Sequence, residues 1–169
     1  MGVRIPFSET WWITFSTVSD VPAKKIYFNS KFLHGIDEKR RVQIPAKWRP
    51  EESGTELTVI VWPKHQAGTC LRVLPLDKLE KLVADIEVMP NSDPYKDVLR
   101  RVVGGNSEQV TVDKAGRICL PEAMAAAAAL KDEAMLVGMI ERFEIWEPGR
   151  YKLVEAADAV HQAKAFEMM

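Results

Sequence analysis

The chain has 169 residues, 47% hydrophobic and 28% charged, with a formal net charge of −1, which suits one soluble domain, or one domain of two halves, with a real core. A charge so close to zero excludes a polycation, so any binding to nucleic acid has to come from a local basic patch. Two cysteines, Cys70 and Cys119, give neither metal-ligand spacing nor a disulfide framework, which fits a reducing cytosol, and no apolar run is long enough to cross a bilayer.

Residues 1–26 contain Pro6 and Pro22, match nothing later in the chain, and read as an N-terminal extension, flexible or added by too early a start codon. Within it, Trp11 to Val18 looks only faintly like a signal-peptide core, being broken by threonine and serine with Arg4 alone before it. A cytoplasmic protein is expected.

A first unit, residues 27–104, opens on a strand from Ile26 to Ile36 and turns at Asp37 into Val42-Gln43-Ile44. Pro45 closes that strand, and Ala46 to Arg49 make one helical turn that Pro50 stops. The β-branched and aromatic run Leu57 to Trp62 reads as a buried strand, Pro63 to Thr69 as a turn, and Cys70 to Leu74 as the returning strand of a hairpin. In the helix that follows, Leu76, Leu79, Leu82, Val83 and Ile86 share a face. A second helix has Asp93 as N-cap and Pro94 at its first position, carries the stripe Tyr95, Val98, Leu99, Val102 and Val103, and ends at Gly104-Gly105. Both stripes read as core.

The second unit, residues 105–169, repeats the order: strand Glu108 to Val112, a turn at Asp113, strand Arg117 to Leu120, and a short alanine-rich helix from Pro121. A hairpin of Ala134 to Ile140 with Arg142 to Trp146 follows, then a helix from Pro148. Neither unit has enough strands to close a sheet alone, so the two are expected to interlock as one small barrel and one structural domain.

The repeat is sharpest at the turns. Ile36-Asp37-Glu38-Lys39-Arg40-Arg41-Val42-Gln43-Ile44-Pro45 returns 76 residues later as Val112-Asp113-Lys114-Ala115-Gly116-Arg117-Ile118-Cys119-Leu120-Pro121. An aspartate opening a tight turn can accept backbone N–H groups two or three residues on, and Gly116 suits a position of positive φ. If Arg40 takes the same conformation it bears a strain of about 1 kcal/mol. Two readings of Arg41 and Arg117 stay open: presented outward by turns that Asp37 and Asp113 shape, or kept home by pairing with those aspartates. Around the first turn Lys39, Arg40, Arg41, Lys47 and Arg49 stand against Asp37 and Glu38, a surplus of three positive charges that suits DNA phosphates and bases, although a solvated charged face is the commoner fate of such a run.

These doubled D-x-x-x-R motifs, each followed by an apolar triplet and proline, resemble the MraZ family of transcription regulators, whose swapped-hairpin barrel is shared with AbrB-type proteins. Val73-Leu74-Pro75-Leu76, Leu136-Val137-Gly138 and Arg142-Phe143-Glu144-Ile145-Trp146 support the resemblance, which covers roughly Phe28 to Tyr151. It departs where Arg40 and Ser30 stand in place of two usual glycines, and where residues 1–26 precede the family's normal start.

The resemblance implies a mainly β fold with α (α+β), a two-repeat swapped-hairpin or double-split β-barrel with flanking helices. It also implies a ring-shaped homo-oligomer that binds direct repeats upstream of its own gene, heading a cell-division and cell-wall cluster, and so a cytoplasmic, nucleoid-associated repressor of its own operon. Arg41 is the first candidate for DNA contact, then Arg40, Lys39 and Arg117, with Lys114 and Lys47 on phosphates; Asp37, Asp113 and Gly116 shape the turns. The partners expected are double-stranded DNA and further copies of the chain. No enzyme activity, cofactor, metal, membrane or small-molecule substrate is expected. An enzyme using Asp37 and Asp113 as a carboxylate pair, with His34 as base, would need both aspartates in one cleft. An antitoxin-like or scaffold protein on the same barrel is the other alternative; antitoxins of this superfamily usually carry one motif per chain and a disordered tail, whereas this C-terminus reads as helix.

Overall fold

A computed structural model describes residues 25–169. Nearly all of the N-terminal extension, with its signal-like run from Trp11 to Val18, lies outside the described residues. The chain forms β1 (Lys31–Gly35), β2 (Arg41–Gln43), β3 (Glu56–His65), β4 (Gly68–Leu74), α1 (Leu76–Glu87) and α2 (Lys96–Gly105). It continues through β5 (Ser107–Thr111), β6 (Arg117–Cys119), α3 (Glu122–Ala127), β7 (Glu133–Gly138), β8 (Phe143–Trp146) and α4 (Pro148–Phe166).

Six strands build one antiparallel sheet in the order β1-β7-β8-β4-β3-β5, so strands of the two repeats interleave, the β7–β8 hairpin of the second lying between β1 and β4 of the first. The two short motif strands, β2 and β6, pair with each other in a two-stranded ribbon, and Val42 of β2 makes one further bridge to Ile36. This is the mainly β fold with helices that the repeat implies. The hydrogen-bonded ladder closes no continuous barrel, because β2 and β6 are three residues each and spend their ladder bonds on one another.

Side-chain alternation explains the layering. Val59, Leu71, Val73, Phe143, Ile145 and Leu136 point from one face of the sheet into the main core, where they meet Val42 and Ile118 of the ribbon and Ile44 and Leu120 just beyond it. Trp48 is 1% exposed at the centre of this core, its ring 5.8 Å from Phe28, 5.3 Å from Phe143 and 5.3 Å from Phe32, and its indole N–H is given to Asn29 O. The opposite face carries Ile60 and Leu74 under α1 and α2, and Cys70, Val137 and Trp146 under α4. β3 and β4 are therefore covered on both sides, which is why they read as nearly unbroken apolar runs. The ribbon and the α1, α2 and α4 helices lie on opposite faces of the sheet.

Several sequence expectations need correction. The first strand is shorter than Ile26–Ile36: Phe28 makes an isolated bridge to Ile140, and Ser30 at φ 76° breaks the chain before β1 begins. β3 runs on through Pro63 to His65, and its register with β4 shifts between Trp62 and His65. A proline, lacking an N–H, is tolerated where the ladder is already irregular. The second helix starts at Lys96, not Pro94, because the Asp93 carboxylate caps only the N–H of Tyr95 in a local turn. Lys96 is buried, its ammonium donating to Glu87 O, Met89 O and Asn91 Oδ1, and it thereby closes the C-terminal end of α1. The α2 stripe is not core: Tyr95, Val98, Leu99 and Val102 are exposed and only Val103 is buried. Leu79, Leu82 and Ile86 of α1 already cover Ile60 and Leu74, which leaves α2 a single edge against the sheet.

Candidate nucleic-acid interface

Each motif folds into the same turn. Asp37 N–H donates to Arg41 O and Arg40 N–H to Asp37 O; 76 residues on, Asp113 N–H donates to Arg117 O and Gly116 N–H to Asp113 O. The Asp37 carboxylate accepts the backbone N–H groups of Lys39 and Arg41, both at 2.9 Å, and that of Asp113 accepts those of Ala115 and Arg117, both at 2.9 Å. The backbone N–H of the motif arginine, first among these donors, holds each aspartate below the usual carboxylate range. Each aspartate is thus hydrogen-bonded within its own loop.

Both arginines also pair with their own aspartates. Arg41 Nε donates to Asp37 Oδ2 at 2.7 Å and Arg117 Nε to Asp113 Oδ2 at 2.9 Å, with Arg117 Nη2 also 2.9 Å from that oxygen. The pairing is the same in both repeats, Nε to the aspartate's Oδ2. Both side chains are one-third exposed (33% each), so the aspartates orient the guanidiniums without covering them.

The ribbon register sets which residues face outward. Arg41 stands opposite Cys119, Val42 opposite Ile118, and Gln43 opposite Arg117. Val42 and Ile118 are fully buried, so Arg41, Gln43, Arg117 and Cys119 share the outer face. Gln43 and Cys119 were not among the candidates; their spacing of two from the arginines is the signal that marks them. Gln43 Nε2 donates to Ala115 O and Gly116 O, and the Cys119 thiol lies 3.2 Å from Lys39 O, so each strand holds the other repeat's turn. Lys39 and Lys114 sit exposed on the two turns, and among the described residues their ammonium groups have no partner.

The remaining candidates are turned elsewhere. Arg40 adopts φ 56°, sends Nε to Leu120 O at 3.3 Å, and approaches Glu122 at 4.0 Å. Lys47 donates to Ser30 Oγ and lies 5.1 Å from the Phe32 ring centre. Gly116 has φ 76°, and a Cβ there would come within 2.4 Å of the Arg49 side chain, which crosses it to reach Ile44 O. His34 is half-buried beside Arg49, with burial and then that charge lowering its pKa. Ser30 and Arg40, the two departures from the family's glycines, both keep positive φ.

Comparison with known proteins bears on this surface. The family model described as "MraZ protein, putative antitoxin-like" matches residues 104–168. The chain is 34% identical to the transcriptional regulator MraZ of Rickettsia rickettsii (strain Sheila Smith), over 81% of this chain and 93% of that protein. It is 31% identical to the protein of that name from Rickettsia akari (strain Hartford), over 83% of this chain and 95% of the relative. Identity to the one from Shewanella frigidimarina (strain NCIMB 400) is 28%, over 69% of this chain and 77% of the relative.

Proposed function

Because the chain belongs to the MraZ family, we propose that it is a DNA-binding transcriptional regulator whose β2–β6 ribbon enters the major groove. A two-stranded ribbon is one of the two elements that groove admits. The observation that carries the reading is the shared outer face of Arg41, Gln43 and Arg117, flanked by the exposed lysines Lys39 and Lys114 on the two turns. Arg41 is the first base reader, because its turn carries the larger surplus of positive charge and a guanidinium fork suits guanine O6 and N7; Arg117 follows. Lys39 and Lys114 neutralise phosphates and fix register. Arg40 and Lys47 add positive potential from the flanks, and Asp37, Asp113 and Gly116 shape the turns.

The operator in this reading is a set of direct repeats upstream of the chain's own gene, bound by a cytoplasmic, nucleoid-associated homo-oligomer that represses its operon. A ring of copies would turn several weak ribbons into one avid reader. The exposed apolar side chains of Val98, Leu99 and Val102 on α2 support contact with a second copy.

Fluorescence anisotropy of a labelled duplex from that upstream region, against a scrambled duplex at two salt concentrations, tests the reading. Wild type should prefer the native duplex and weaken with salt, and Arg41→Ala should abolish the preference. Equal affinity for both duplexes would reduce the ribbon to a nonspecific phosphate contact. No binding at either salt by a folded oligomer would favour an antitoxin-like or scaffold role.

A further inference from the structure

We propose that the cavity between α1 and the β3–β4 hairpin is a binding site for a small oxyanion, a carboxylate or a phosphate, read by Arg142 and Trp62. The cavity has a volume of about 220 Å³, below the roughly 300–1,000 Å³ of sites for drug-sized ligands. It lies on the helix-covered face of the sheet, away from the ribbon, and the proposal does not depend on the DNA reading.

Two donors in its wall are buried without acceptors. Among the described residues, neither Trp62 Nε1–H nor Arg142 Nε–H has a hydrogen-bond partner. A buried donor left unpaired is destabilising, more so for a charged group, so both positions favour an acceptor. The nearest buried carboxylate cannot readily serve. Glu144 is 7% exposed, and its two oxygens already accept Arg72 Nε and Trp146 Nε1, each at 2.9 Å. Arg72 is fixed further by lying 3.9 Å from the Trp62 ring centre, which covers one face of the indole and leaves its N–H edge as the polar part.

The charge around the cavity suits an anion. Arg72, Lys78, Lys81 and Arg142 line it, against Asp85 and Glu141. Lys78 holds Glu141 at 2.9 Å and Asp77 at 3.3 Å, so the acid at the rim is partly neutralised before any ligand arrives. Arg142 carries no carboxylate partner among the described residues and sits near Arg72, whose charge it opposes. An oxyanion supplies both the missing acceptors and the missing negative charge.

Isothermal titration of the full-length protein with sodium phosphate and with sodium malonate, against chloride at matched ionic strength, tests this. Saturable binding of one anion per chain is expected, by phosphate or malonate according to which oxyanion the site takes. Arg142→Gln should weaken it by about tenfold or more. Trp62→Phe, which keeps a ring under Arg72 but removes the donor, should weaken it less, and Arg41→Ala should leave it unchanged. Absence of saturable binding, or undiminished binding in Arg142→Gln, overturns the proposal; should that variant fail to fold, undiminished binding in Trp62→Phe does so. Loss in Arg41→Ala would place the anion on the ribbon instead, and also overturns it. So would a wild type that takes no anion but changes oligomer size with Arg142→Gln, since the acceptor would then be a carboxylate of a second copy.

Discussion

Arg40 and Arg49 donate through Nε to carbonyls that hold equivalent places in the two repeats, Leu120 O at 3.3 Å and Ile44 O at 2.8 Å. Arg49 reaches its carbonyl across Gly116, where any side chain would obstruct it. The second repeat has Ala125 where the first has Arg49, so no such arginine is present there. Arg40, at the place equivalent to Gly116, supplies the donor instead while taking the positive φ, 56°, that the shared turn imposes.

This exchange predicts opposite balances for two variants. Arg40→Gly relieves about 1 kcal/mol of backbone strain and loses a hydrogen bond worth about the same. Its stability should stay within about 1 kcal/mol of wild type. Arg49→Ala loses its bond with no strain to relieve and should be destabilised by about 1 kcal/mol. Urea unfolding of both checks the difference. For DNA, Arg40→Gly should lower the salt slope of binding by at most about one.

Two glycines should differ by what stands in their way. A Cβ at Gly138 would meet Phe28 O at 2.5 Å and Asn29 N at 2.7 Å, both backbone atoms of the Phe28–Ile140 bridge. At Gly116 it meets a flexible arginine side chain, which can swing away, although φ 76° adds strain. Gly138→Ala should therefore lose about 2–3 kcal/mol and Gly116→Ala about 1–2 kcal/mol, read from thermal unfolding. A reversed order would show that the Arg49 contact matters more than the bridge.

The turn aspartates give an acid dependence of definite sign. Their folded pKa values lie below the usual range, first because of the motif arginine's backbone N–H. Their contribution to stability is thus complete above the unfolded value of about 4 and is lost as pH falls through the folded values. Asp37→Asn with Asp113→Asn keeps oxygen acceptors for the turn but removes these charges. The midpoint of thermal unfolding between about pH 5 and pH 2 should fall less steeply in the double variant.

The thiols allow a footprint of the ribbon. Cys119 is exposed and stands opposite Arg41, while Cys70 is buried, its thiol pushed up to about 12 chiefly by that burial. Alkylation at neutral pH should label Cys119 alone. Native duplex at about ten times its Kd should slow that labelling about tenfold. An unchanged rate with DNA bound would mean that another surface does the reading.

Much of the candidate interface was legible as pattern. The repeated Asp-to-Arg spacing located both turns, and apolar-x-apolar alternation in Val42-Gln43-Ile44 and Arg117-Ile118-Cys119-Leu120 located both ribbon strands, because local hydrogen bonding and side-chain alternation act over a few residues. The exposure of the α2 stripe was not legible. Tyr95, Val98, Leu99 and Val102 have the same periodicity whether a partner layer covers them or not.

The sequence by itself therefore determined the two turns, the order of strands and helices, and the family. Only the tertiary structure decided that β2 pairs with β6, which brings Arg41 and Arg117 onto one outer face, and that Arg40 and Lys47 turn aside to Leu120 and Ser30. The physical reason is distance along the chain: the aspartate bonds close within four residues, whereas the Arg40 bond spans 80. Contacts of the second kind depend on how the whole sheet packs, and short-range pattern does not contain them.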